Sequence, residues 1–290
     1  MRTLSLGAAA LAMFSTAGCM DVAVAHSTGV SHAQSMAIGG NMNRTLDQDG
    51  DLSLIGGHMD LRGRVGGDVN LVGGNIDLDL DIGGELSVAG GDLDVSGTIG
   101  RKAEIAGGDI TWQAEVMDDL EIAGGNLVID ARIARNLEAA SGELEILEGA
   151  EIGGNAELAA ANIRFDGRVA GTLEAFAAFL LVRGQVDGGA RLMADPHERR
   201  GLSWRAEVDE DGARAGNPEG RVELAGDMGG AVEVCARRVD ILRNARIAGP
   251  LRVWADAEPE ISNEASIGDL VYEARNGRDC DDIFDDLERL

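Results

Sequence analysis

Apolar and polar residues alternate along this chain in short bursts, and the bursts recur every 17 residues. Val65, Ile82, Ile99, Val116, Ile133, Ile152, Val169 and Val186 mark the first position of successive turns, with a single 19-residue step after Ile133. Position 5 is then Val69, Leu86, Ala103, Leu120, Leu137, Ala156, Leu173 and Ala190, and position 7 is apolar as well. Positions 12 and 14 repeat the pattern, as in Ile76/Leu78, Leu93/Val95, Ile110/Trp112, Leu127/Ile129 and Leu144/Ile146. A fixed period of this kind marks a repeat architecture. Within each turn the apolar positions alternate with polar ones, which is the period of a strand with one buried face. Small residues separate the two pairs: Gly73-Gly74, Gly90-Gly91, Gly107-Gly108, Gly124-Gly125, then Ser141-Gly142 and Ala160-Ala161. Such residues suit a tight corner where backbones stack closely. Two strands, two corners and a short third side predict an all-β, single-stranded, three-sided β-helix. Its turns stack at about 4.8 Å. An antiparallel sandwich also uses short strands, but it does not require the same residue classes at constant spacing.

The pattern sets the boundaries. A solenoid runs over residues 48–194, an insertion over 195–219, and the solenoid resumes over 220–273, opening new turns at Met228, Ile247 and Ile267. About eleven turns make a rod on the order of 50 Å long. Residues 274–290 read as an acidic C-terminal cap. There Ile283, Phe284, Leu287 and Leu290 fall at helical spacing and predict a short amphipathic helix over the open end of the coil.

The N-terminus carries an address. Arg2 and the apolar run from Leu4 to Phe14 form a secretory signal, too short to span a membrane. It ends in Ser15-Thr16-Ala17-Gly18-Cys19, similar to a bacterial lipobox, which makes residues 1–18 a lipoprotein-type signal and Cys19 the lipidation site. Ala23-Val24-Ala25 offers an ordinary signal-peptidase site as the alternative. Met20 after the cysteine favours the outer membrane, and residues 19–47 read as a flexible tether. Export leaves Cys235 and Cys280, an even pair that predicts a disulfide across the last turns.

The formal charge of −26 becomes −27 once residues 1–18, whose only charge is Arg2, are removed. That balance argues against nucleic acid and anionic headgroups as partners. Position 6 presents an outward column, Glu104, Glu121, Glu138, Glu157 and Glu174, with Glu233 in line to extend it. Two readings stand: a column of ligands for calcium, since hard cations take carboxylate oxygens, or a solvated face that keeps the rod soluble. No other cofactor is implied. A second column at position 11 (Asn75, Asp92, Asp109, Asn126, Glu143, Asn162) is expected to be structural. The segment Asp47-Gln48-Asp49-Gly50-Asp51 begins like a calcium loop, but His58 stands where the closing Glu belongs. The insertion holds Arg199, Arg200, Trp204 and Arg205, a basic and aromatic cluster suited to a partner. No phosphate loop, nucleophile elbow or HExxH zinc motif occurs, so the chain is expected not to be an enzyme.

The phrases Gly63-Arg-Val-Gly-Gly-Asp-Val69 and Gly84-Glu-Leu-Ser-Val-Ala-Gly-Gly-Asp-Leu93 resemble the bactofilin family. So does Ala257-Glu-Pro-Glu-Ile-Ser-Asn-Glu-Ala-Ser-Ile-Gly-Asp269. The resemblance implies a right-handed, three-sided β-helix and a polymer-forming scaffold. Bactofilins are typically cytoplasmic, so the export signal and the large insertion depart from the family. The expected role is a lipid-anchored, cell-envelope rod that self-associates, in the outer membrane or periplasm of a bacterium. The alternative is a module that binds an envelope glycan or protein through the rod face or the insertion.

Overall fold

Every interior strand pairs in parallel with the strand one turn before and one turn after, so the register reproduces the sequence period. Val69 pairs with Leu86, Leu86 with Ala103, Ala103 with Leu120 and Leu120 with Leu137. The computed structural model describes residues 35–195 and 220–289. Over them the chain forms a β-solenoid of about 13 turns, followed by one short helix, α1 (Cys280–Glu288). Each turn contributes three segments. Face one holds strands such as Ala103–Ala106 and Leu120–Ala123; face two holds Asp109–Trp112 and Asn126–Ile129; face three holds Glu115–Val116 and Arg132–Ile133.

Positions 1, 5, 7, 12 and 14 point inward and build one continuous apolar core from Met42 to Ala255. Because all three faces share one cross-section, a large side chain on one face must be matched by a small one on another. Trp112 and Phe165 are the largest fully buried side chains. The turn of Trp112 carries Ala103 on face one, and that of Phe165 carries Ala156. Face one therefore becomes small where face two becomes large, and the cross-section stays even.

The corners satisfy the backbone in different ways. Between faces three and one, a carboxylate or amide oxygen accepts the N–H of the residue one turn on. Asp51 Oδ1 accepts from Asp68 N at 3.0 Å, Asp68 Oδ1 from Glu85 N at 2.9 Å, and Asp119 Oδ1 from Asn136 N at 3.0 Å. Asn136 and Asn155 continue this ladder to Asn155 N and Thr172 N, each at 3.0 Å. Between faces two and three, Gly97 adopts φ +105° and packs against the turn below, where an added Cβ would lie 2.1 Å from the Leu80 carbonyl oxygen.

Two expectations change. The solenoid begins at Ser35 rather than at residue 48: Ser35–Gln48 is a strand paired in parallel with Leu52–Val65, so the stretch expected as a tether contributes a turn of its own. The periodicity is hard to see there because the core positions 14 and 1 carry Arg44 and Gln48, which an end turn tolerates with only one neighbour to pack on. Nor does α1 lie over the open end; it packs on the side of the rod, against Met193, Cys235 and Trp254. The signal segment and Cys19 fall outside the described residues.

Gly97→Ala is expected to cost about 2 kcal/mol or more, from a strained φ and a backbone clash that no side-chain movement relieves. Gly40→Ala, where the new Cβ meets nothing within 4 Å, should leave the urea midpoint unchanged or slightly raised. Comparing the two variants by denaturant unfolding checks the assignment.

Candidate functional site

The glutamate column on face one is in register: Glu104 pairs with Glu121, Glu121 with Glu138, Glu138 with Glu157, and Glu157 with Glu174. It does not continue to Glu233. Arg191 intervenes, 3.5 Å from Glu233, and Arg252 follows Glu233. Lys102 Nζ spans the start of the column, 2.8 Å from Glu104 and 2.7 Å from Glu121. Burial opposes the charge of Lys102, but its bonds to the two carboxylates outweigh this and hold its pKa above the ordinary lysine value. Glu138 has its pKa raised, first by desolvation and then by the charge of Glu121.

Among the described residues, no three His, Cys, Asp or Glu side chains converge so as to hold a metal ion. Strand spacing explains why: carboxylates one per turn line up along the rod, whereas calcium needs six or more oxygens around a point. Glu104, Glu121, Glu138, Glu157 and Glu174 thus form an acidic face, partly neutralised at its start by Lys102. The Asn/Asp column is a hydrogen-bonded ladder, with Asn75 Nδ2 donating to Asp92 at 2.8 Å and Asn126 Nδ2 to Asp109 at 2.6 Å.

Chemistry of another kind gathers at the C-terminal third. The outward position 8 of face one is alanine at residues 89, 106, 123, 140 and 159, then becomes Phe176, Met193, Cys235 and Trp254. That switch builds an apolar strip on the rod's flank, and α1 lies on it. Ile283 and Phe284 are buried there with Leu287 packed alongside, and Phe284 meets Trp254 edge to face, ring centroids 5.9 Å apart. Arg191 stacks over Phe284 at 5.3 Å. A nine-residue helix is marginal in water by itself. Here it is pinned at its first residue by the Cys235–Cys280 disulfide, Cα–Cα 5.6 Å. The predicted pairing of these cysteines is present.

Beside the disulfide, Arg275 is buried to 4% exposure. Its guanidinium donates to Asp195 at 3.0 Å and to Asp256 at 3.1 Å, and its Nη1 lies 3.3 Å from Cys280 Sγ. Asp195 is the first residue of the insertion, so this one arginine ties the insertion's base, the penultimate turn and α1 together. Arg199, Arg200, Trp204 and Arg205 lie outside the described residues. The apolar run at position 8 was readable from the sequence; the role of Arg275, which falls outside the repeat, was not. At the opposite end the same column carries Ile38, Ile55 and Val72, all exposed.

No protein-family model, curated protein or solved structure matches this chain.

Two measurements test this description. Folding raises the pKa of Glu138, so its ionised form is penalised in the folded rod above that raised value, and the penalty vanishes below the ordinary carboxylate pKa. Glu138→Gln should therefore stabilise the rod at neutral pH by about 0.5 kcal/mol, with the gain disappearing in thermal melts as the pH falls below about 4.5. Arg275→Ala leaves two carboxylates without their partner and should cost about 3 kcal/mol. Hydrogen exchange should show that loss in α1 and in the strand Leu251–Ala255, with the N-terminal turns unchanged.

Proposed function

We propose that this chain is a non-enzymatic structural protein of the bacterial cell envelope: a β-helical rod, anchored by a lipid on Cys19, that self-associates end to end. The observation that carries this reading is that both ends of the coil are uncovered among the described residues. Ser35–Gln48 pairs only with the strand after it, and Leu270–Ala274 only with the strand before it. Each end strand thus presents a row of backbone donors and acceptors to any further strand. The half-buried core positions Ile267, Leu270 and Tyr272 present apolar surface at the same end. With α1 on the flank, a second rod is free to stack there.

Supporting observations come from the sequence. The turn phrases resemble those of the polymer-forming bactofilins, and the signal segment with its lipobox-like end directs the mature chain to the envelope, as an outer-membrane or periplasmic lipoprotein. A disulfide suits that compartment. Among the described residues no helix is long and apolar enough to cross a membrane.

Negative-stain electron microscopy of the chain from residue 20 onward tests the proposal. Filaments that lengthen with concentration are the expected result. The double variant Leu270→Lys/Tyr272→Lys should give single rods with a Tm within a few degrees of the parent. Uniform single rods from the parent chain at all concentrations would remove self-association from the proposal.

A further inference from the structure

The rod's turns are not all the same length, and where they differ a trough forms. At the corner between faces two and three, most turns pass from Ile or Val to Ile or Val through a short link. Three turns instead make a two-residue excursion, each closed by a tight backbone bond: Ala150 N to Leu147 O at 3.0 Å, Ala245 N to Leu242 O at 3.1 Å, and Ala265 N to Ser262 O at 3.0 Å. Glu148-Gly149 thus projects on one side and Arg243-Asn244, backed by Asn263-Glu264, on the other. Between them run three turns whose corner residues are Gly167, Gly184 and Gly226. A Cβ on Gly184 would lie 2.0 Å from the Gly167 carbonyl oxygen, and one on Gly226 the same distance from that of Gly184. These glycines keep the floor flat. Four strand spacings separate the two walls, roughly 19 Å.

Two depressions, of about 740 and 700 Å³, make up this trough, one opening toward face two and the other toward face three. They share Arg183, Ala225, Arg243 and Asn244. Of the acids that line it, Asp166 takes Arg164 at 2.6 Å, Asp240 takes Arg221 at 2.6 Å, Glu260 takes Arg238 at 2.9 Å and Asp227 has Arg246 at 3.7 Å, while Glu148 and Glu264 stand on the two walls. The guanidiniums of Arg183 and Arg243, both exposed, have no ion-pair or hydrogen-bond partner among the described residues, although the Arg183 backbone N–H donates to Phe165 O at 2.8 Å. Strand register puts Arg183, Ala225 and Leu242 on consecutive turns just past Val182, Leu224 and Ile241. Arg183 thus lies one turn before Ala225, and Arg243 follows the residue one turn after it, so two guanidiniums line the trough beside a side chain that is a single methyl group, on a chain of net charge −26.

We propose that Arg183 and Arg243 form a binding site for an oxyanion, carboxylate or phosphate, carried on an extended acidic saccharide lying across the trough over Ala225. Guanidinium forks match planar carboxylate and tetrahedral phosphate oxygens through paired N–H donors. The trough is open at both ends, so a chain fits where a capped small molecule is not required. Asn244, Ser262 and Ser266 add amide and hydroxyl groups suited to sugar hydroxyls. Among the described residues no aromatic ring lines the trough, and the recognition proposed rests on charge and hydrogen bonding. Its wall residues Ser262 and Ser266 belong to the last turn, but Arg183, Ala225 and Arg243 lie along the side of the rod, and the site does not depend on self-association.

Isothermal titration of the full mature chain with trigalacturonate tests it, with maltotriose as the neutral control and pentaglutamate as the non-saccharide polyanion. Saturable binding of trigalacturonate is expected, weakened at least tenfold by Arg183→Ala and by Arg243→Ala. Ala225→Glu, which fills the gap with an internal carboxylate, should weaken it as much. Since none of these side chains holds the fold together, melting curves should be unchanged, separating lost binding from lost structure. Displacement by inorganic phosphate would mark a phosphate-bearing chain as the source of the oxyanion, and its failure a carboxylate-bearing one. No binding of trigalacturonate at millimolar concentration, or equal binding by all three variants, would overturn the site. Equal binding of maltotriose would overturn its charge basis, and equal binding of pentaglutamate its saccharide selectivity.

Discussion

Parallel backbone pairing from turn to turn is the constraint on which the rest of this molecule depends. A strand of four residues has too little surface to bury and too many polar backbone groups to hide by itself. Stacked in register, it finds donors above and below and apolar neighbours on both sides. The consequence is a demand on every turn at once: three short sides must enclose the same cross-section. Ala103 opposite Trp112 and Ala156 opposite Phe165 are local answers to that demand. The Asp and Asn residues that cap the N–H of the next turn answer its backbone counterpart. Departures are confined to corners, where chain leaves the shared core without disturbing it.

This division explains what was legible in the sequence. Periodic features were: the faces, the interruption near residue 195, and the glutamate column follow from counting positions. The disulfide followed from an even pair of cysteines in an exported chain. Features that break the period were hidden. Arg44 and Gln48 mask a genuine turn because an end turn packs on one neighbour and tolerates polar residues at core positions. The position of α1 was misjudged because its spacing reveals an apolar stripe but not the surface that receives it. That surface was nonetheless written in the column that changes from Ala159 to Phe176, Met193, Cys235 and Trp254. The corner ladder begun by Asp51 and Asp68 is partly hidden because Glu85 and Lys102 interrupt its run of Asp and Asn. The trough at Arg183 was illegible for a different reason: it arises from differences in turn length between sequence-distant excursions.

For calcium, geometry rather than residue type is the obstacle at the glutamate column. Residue type at Glu104 through Glu174 was right for a hard cation, but a straight ladder distributes charge along a line. Metal sites need ligands from different directions, which a regular face of a solenoid does not supply. Lys102, two positions before the column residue of its own turn, bridges two carboxylates instead. Charge on this rod is thus managed laterally, between neighbouring turns, and the arginines left unmatched in the trough stand out for that reason.

The disulfide encloses a sequence span of 45 residues, and that span holds the last three rungs of the coil. Since each rung touches only its neighbours, a solenoid ordinarily peels from an end, one rung at a time. A covalent loop from Cys235 to Cys280 turns those rungs and α1 into a single unit that must let go together. The C-terminal tip is thereby exempt from stepwise unravelling, and the rod has a defined polarity of wear: under sustained pulling or proteolysis it shortens from its N-terminal turns.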